Sequence, residues 1–296
     1  MAKDFQSVLW KLLGVFVIIF FVSGIFLVII LLLPEKELPL PAFPIGNEVD
    51  QNTTSDDQNV STNTQESETK YQELQTLLDS TVSQEKGNWS FLVSEPDTGK
   101  TIGSQIHRPQ TAASVMKVLV ATLLLQRVEA GEIQLTDSLK GLPVQTHLQR
   151  MINISDNNSW AAFNEYLGLS NLQKFAESLG MQDTNLFNNT ISSYDVNLLF
   201  TKILKGKILT EEHRNLLLSY MQNTETEDRI PAVVPKEITL YHKTGSLDYV
   251  VNDAAVILFQ RRTVIFIVLS EEIKGYQTSV STVQTLTQAV VDFYSK

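Results

Sequence analysis

Ser114-Val115-Met116-Lys117 sets a hydroxyl and a primary amine three residues apart, just ahead of the apolar stretch Val118–Leu125. That context predicts Ser114 at or near the N-terminus of a buried helix. Residues three apart share a helix face, so the Lys117 amine can reach the Ser114 hydroxyl. A helix N-terminus adds free N–H groups and positive potential where an oxyanion would form. Desolvation and a second cation would depress the lysine enough to make it a base. The pair is therefore a candidate for nucleophilic catalysis. Alone, it equally fits a capping serine followed by a snorkelling lysine. A second Ser-x-x-Lys, Ser83 to Lys86, falls where a first helix should end, before Gly87-Asn88, and reads as surface.

Two tripeptides give the first pair a context. Ser155-Asp156-Asn157 begins 41 residues after Ser114, and Lys243-Thr244-Gly245 begins 88 residues after Ser155. Each has a plain reading, as a helix cap and as a strand running into a turn. In this order the three form the set shared by class A β-lactamases and penicillin-binding proteins. Over residues 71–296 the chain resembles the class A β-lactamase-like serine hydrolases, kin of the penicillin-binding D,D-peptidases. Ser246, Asp248-Tyr249 and Asn252-Asp253-Ala254 extend the likeness.

The resemblance implies a role for each residue. Ser114 would be the acylated nucleophile and Lys117 its base. Ser155 would relay a proton to the leaving nitrogen. Asn157 would bind the substrate amide and steady Lys117. Lys243 and Thr244 would attract the substrate carboxylate. The N–H groups of Ser114 and Ser246, the latter following Gly245, would form the oxyanion hole, where one donor is worth about 3–4 kcal/mol. The family also carries a Glu-x-x-Asn element on an Ω-shaped loop, whose Glu activates the deacylating water. The matching stretch, Gly180 to Thr190, contains no Glu. Asp183 is its only carboxylate. Asp195 reads as part of a capping box that opens the next helix, and Glu165 reads as surface.

Three functions are expected in turn. The first is a serine hydrolase that is acylated by β-lactams and turns over slowly. The second is a D,D-peptidase acting on the D-Ala-D-Ala stems of peptidoglycan. The third is a non-catalytic receptor for a wall peptide or antibiotic.

The elements that must position these residues come from both ends of the chain. Strand alternation marks Trp89–Glu95, Thr101–Ile106, Ile238–Lys243, Ala254–Phe259 and Thr263–Leu269. Helical spacing marks Tyr71, Leu74, Leu77 and Leu78, most of 114–221, and a last helix over Thr278–Tyr294. The expected class is α+β: an antiparallel sheet flanked by N- and C-terminal helices, with an all-α subdomain inserted.

Ahead of this domain lies Leu12–Leu33, a run of 22 residues that is almost wholly apolar. As a helix it would cross a bilayer. It is longer than a signal-peptide core and lacks a small-x-small cleavage site. Residues 1–11 are expected to be a short cytoplasmic terminus, because Lys3 and Lys11 precede the run. Residues 12–33 are expected to be the anchor. Residues 34–70, Pro-rich and then polar and acidic, are expected to be a disordered linker. The catalytic domain would then be extracytoplasmic.

The 296 residues carry 23 Lys+Arg and 33 Asp+Glu, a net charge of −10, and no Cys. An acidic chain makes a poor nucleic-acid binder. Without Cys there is no disulfide, thiolate nucleophile or Cys-ligated zinc. His107, His147, His213 and His242 show no ligand spacing, so no metal and no cofactor is expected. Gly99-Lys100-Thr101 lacks the earlier Gly of a phosphate loop, since position 94 is Ser. The absence of G-x-S-x-G disfavours an α/β-hydrolase.

Overall fold

The computed structural model describes residues 14–22, 25–33 and 57–295, with side chains from 68 to 295. The first part stands by itself. Gly14–Val22 (β1) and Ile25–Leu33 (β2) pair antiparallel, Val22 opposite Ile25. This departs from the transmembrane helix expected over 12–33. The run is rich in Val, Ile and Phe, which suit extended backbone, and Ser23-Gly24 between the strands is a turn-forming dipeptide. Among the described residues, no helix is long and apolar enough to cross a membrane.

In the second part, helix α1 spans Asp57–Ser83. It takes in residues 57–70 of the expected disordered linker; residues 34–56 lie outside the described residues. Tyr71, Leu74 and Leu78 are buried at three- and four-residue spacing, while Leu77 is 52 % exposed. Strands β3 (Asn88–Ser94) and β4 (Thr101–Ser104) form a hairpin over Gly99. Strand β5 (Gln110–Thr111) and a 3₁₀ turn, Ala113–Met116, lead into α2 (Lys117–Glu129).

The helical middle follows. It holds the short hairpin β6 (Ser138–Leu139) and β7 (Leu142–Pro143), then α3 (Val144–Asn153), α4 (Asn157–Leu167) and α5 (Leu169–Ser178). Strand β8 (Thr190–Ile191), α6 (Ser193–Leu204) and α7 (Glu211–Tyr220) complete it. The chain ends with β9 (Thr239–Leu247), β10 (Val250–Phe259), β11 (Arg262–Glu271) and α8 (Tyr276–Tyr294).

The main sheet has the order β4-β3-β11-β10-β9, antiparallel throughout. Its side chains alternate between two cores, as a period of two requires. Phe91, Val93, Ala255, Ile257, Phe266 and Val268 pack with α1 and α8. Leu92, Ala254, Val256, Ile265 and Ile267 pack with the helical middle. Helix α2 is apolar on nearly every side, and Lys117 through Leu125 are all buried, so it forms the axis of the helical subdomain. The α+β layout expected from the sequence is the one observed.

A polar node ties the terminal helices to the sheet. Buried Glu95 accepts from the Tyr71 hydroxyl, from Thr98 at 2.9 Å and from Arg262 at 2.5 Å. Charge-assisted bonds of this kind are stronger than neutral ones.

Candidate active site

Ser114 sits on the 3₁₀ turn rather than inside an α-helix. Lys117 follows the turn as the first residue of α2. Ala113 has φ +47, a left-handed conformation that non-glycine residues rarely take. The turn is held from three sides. Asn252, fully buried, donates to the carbonyls of Thr111 (2.8 Å) and Ala112 (3.2 Å). Glu271 accepts from the Thr111 amide at 3.1 Å. Asn189 accepts from the Ala112 amide through its carbonyl at 2.9 Å, and its side chain donates to Ala113 at 3.4 Å.

Ser155 also has a left-handed backbone, φ +57. This throws the chain into α4, whose N-cap Asp156 accepts from the Ser159 amide at 2.9 Å. The kink presents both ends of Ser155 to ammonium groups. Its carbonyl accepts from Lys117 Nζ at 2.6 Å, and its hydroxyl accepts from Lys243 Nζ at 2.5 Å. Lys117 Nζ also donates to Asn157 Oδ1 at 2.8 Å and stands 5.2 Å from the Trp160 ring. The Ser114 hydroxyl makes no hydrogen bond among the described residues. The Lys117 amine is hydrogen-bonded to Ser155 and Asn157 instead of to Ser114.

Lys-Thr-Gly lies within β9, two residues short of its end, and not at a strand terminus. Strand β9 is the open edge of the sheet. Alternation sends Lys243 and Gly245 toward the helical subdomain and Thr244 and Ser246 toward the other face. Lys243 Nζ also donates to the Thr244 carbonyl at 3.0 Å. A Cβ on Gly245 would come within 2.7 Å of the Ala112 oxygen and 3.1 Å of the Ser114 nitrogen, so the strand lies directly against the nucleophile turn.

Burial lowers Lys117 from the ordinary lysine range to about 8, with Asp156 pulling weakly the other way. Burial, then the neighbouring Lys117 charge, lowers Lys243 to about 7; Asp253 opposes this and Arg229 adds to it. Two cations cannot both be comfortable on either side of one serine in a desolvated pocket.

Ser114, Lys117, Ser155, Asn157, Lys243 and Gly245 are thus brought together. Thr244 is buried, and its hydroxyl has no partner among the described residues. Ser246 is held by a residue that sequence reasoning missed. Fully buried Arg229 donates to Ser246 Oγ and Tyr276 Oη, each at 2.5 Å, and to the Asn252 carbonyl at 2.7 Å. Nothing in Glu227-Asp228-Arg229-Ile230 distinguishes it from a solvated charge.

The loop 180–190 carries no carboxylate to the site. Asp183 pairs with His107 at 3.0 Å. Asp195 does sit on the first turn of α6, with Ser192 as N-cap. Its carboxylate, however, turns into the loop to accept from the Asp183 amide and the Thr184 hydroxyl, and burial raises its pKa. Glu165 is exposed and pairs with Lys140. Ser83 is exposed and donates to Ser80. Among the described residues no carboxylate is hydrogen-bonded to Ser114, Lys117, Ser155 or Lys243, and no cluster suited to a metal ion is found. A groove of about 1170 Å³ lies elsewhere, lined by Tyr71, Leu74, Phe259, Phe293 and Tyr294.

Residues 70–294 match the model of the beta-lactamase enzyme family. The chain belongs to that family. No curated protein matches it. Among solved structures, a beta-lactamase from Sphaerobacter thermophilus is 23 % identical, with TM-score 0.70, covering 74 % of this chain and 97 % of its own. An ancestral Gram-negative class A beta-lactamase is 21 % identical, with TM-score 0.71 and coverage of 74 % and 99 %. PBP-A is 21 % identical, with TM-score 0.71 and coverage of 75 % and 96 %. At these identities the likeness establishes the beta-lactamase fold, which β-lactam hydrolysis and penicillin binding share.

Proposed function

We propose that this member of the beta-lactamase family is a serine hydrolase that forms an acyl-enzyme on Ser114 and releases it slowly. The observation that carries the reading is the pair of lysines bound to opposite ends of Ser155 beside the Ser114 turn. At pH 7 values of about 8 and 7 leave Lys117 mostly charged and Lys243 about half charged. An arriving substrate carboxylate holds the charge on Lys243, and repulsion between the two ammonium groups then favours loss of the Lys117 proton, which leaves Lys117 as the free base. Ser114 Oγ then attacks the carbonyl carbon and its proton passes to Lys117. The C–N bond breaks, and the leaving nitrogen takes the Ser155 hydroxyl proton, which the lysine pair replaces.

Hydrolysis of the ester requires a water and a base. The loop that supplies the base in class A enzymes brings no carboxylate here, which supports slow release. The ligand is a β-lactam or the D-Ala-D-Ala stem that it mimics. Attachment to the membrane through residues 12–33, with the domain outside, is part of the proposal. It rests on the apolar composition of the run and the lysines ahead of it.

Intact-mass measurement after penicillin treatment tests the reading. One long-lived penicilloyl adduct per chain is expected, and none with Ser114→Ala. Reversible binding without an adduct would favour a receptor. Fast multiple turnover of a chromogenic cephalosporin would reveal an efficient deacylation route.

A further inference from the structure

On the face of the sheet opposite Lys243, His242 and Asp253 form a fully buried pair, Nδ1 to Oδ1 at 3.0 Å. Each also grips the segment from Met221 to Ile230. The His242 amide donates to the Met221 carbonyl at 2.8 Å, and Nε2 meets Thr224 Oγ1 at 2.9 Å and Glu227 Oε1 at 3.3 Å. The second Asp253 oxygen accepts from the Ile230 amide at 3.2 Å. Between these grips stands Arg229, whose guanidinium reaches the Asn252 carbonyl, Ser246 Oγ and, at 3.5 Å, the Gly245 carbonyl. Gly245 in turn abuts the Ser114 nitrogen. A continuous set of contacts therefore runs from the pair to the Ser114 turn, and neither side chain is hydrogen-bonded to Ser114, Lys117, Ser155, Asn157 or Lys243 among the described residues.

We propose that His242 and Asp253 are positioning residues for acylation: they fix the 221–230 segment and, through Arg229, the separation of Gly245 from the Ser114 turn. Desolvation alone would discharge His242, yet its two carboxylate neighbours raise it to about 9, so a positively charged histidine faces Asp253 in the core. Removing His242 leaves Asp253 without its cation, and removing the Asp253 carboxyl leaves the buried imidazolium with only the exposed Glu227. Removing both charges while keeping a hydrogen bond does neither.

The test compares the wild-type chain with His242→Asn, Asp253→Asn and the double variant. In the double variant the new side-chain oxygen at position 253 keeps the Ile230 amide, and the NH₂ beside it turns to the side-chain oxygen at position 242. With a fluorescent penicillin, the limiting acylation rate and the non-covalent affinity are separated by concentration dependence on folded protein. This readout rests on the acyl-enzyme reading. Each single variant should lose about 10²-fold in limiting rate with affinity little changed, and the double variant should recover most of it. Amide exchange over 111–116 and 221–230 reads the same linkage without substrate. Protection should fall in both single variants and return in the double. Single variants with wild-type rate, or unchanged protection in both segments, overturn the inference. A wild-type chain that takes no penicillin counts against the acyl-enzyme reading alone, and the exchange data then decide this one.

Discussion

Gly245 lies so close to Ser114 that one added carbon would stand 3.1 Å from that serine's backbone nitrogen. The contact sets the width of the cleft between the edge strand and the 3₁₀ turn. Gly245→Ala is therefore expected to push the two apart. The acylation rate should fall by about 10²-fold, with a loss of about 1–3 kcal/mol in stability. Penicillin-labelling kinetics beside a urea melt measure both, and a wild-type labelling rate would refute the account.

Acylation should rise with pH between about 5 and 8. In the proposed mechanism the base is the unprotonated Lys117 amine, and its value of about 8 lies below the usual 10.5. At pH 7 such an amine is free about one time in ten, against about one in three thousand for an unperturbed lysine. A second-order labelling rate that stays flat from pH 5 to 8 would remove Lys117 from the role.

Lys243→Met should abolish labelling and yet raise the melting temperature by about 2–4 °C. Lys243 is almost fully buried and titrates near 7 in the folded chain. The folded state thus binds fewer protons than the unfolded one between pH 7 and 10, so this lysine weakens folding below its unfolded value and the penalty fades as pH rises. The gain in melting temperature should accordingly be larger at pH 6 than at pH 10. An equal gain at both would assign it to packing instead.

Glu165→Gln and Asp183→Asn should leave the lifetime of the penicilloyl adduct unchanged. Glu165 is committed to an exposed pair with Lys140, and Asp183 to one with His107. A longer lifetime in either variant would identify the base that the loop otherwise lacks.

The motif residues were legible because each tripeptide is a local signal with its own backbone need. Ser-Asp-Asn shows a left-handed serine and a capping aspartate, and Lys-Thr-Gly shows a strand that must come close to another backbone. The strands were legible from alternation, though β10 begins four residues before the expected Ala254. Arg229 was not legible, since its burial depends on four partners from β9, β10 and α8. The pairing of Lys117 with Ser155 rather than Ser114 was hidden as well, because it follows from the left-handed turn at Ser155. Residues 14–33 failed for another reason. Stretches built of Val, Ile, Leu and Phe, such as 15–22 and 25–33, satisfy helix and strand patterns alike.

The sheet order has a temporal consequence. Strand β3 is flanked by β4 and by β11, with Ser94 opposite Ile265. A chain emerging from the ribosome N-terminus first cannot close this sheet until β11 has been synthesised, and such remote pairings assemble slowly. The nascent polypeptide thus stays open and threadable for most of its synthesis, and the cleft around Ser114 is among the last features to form.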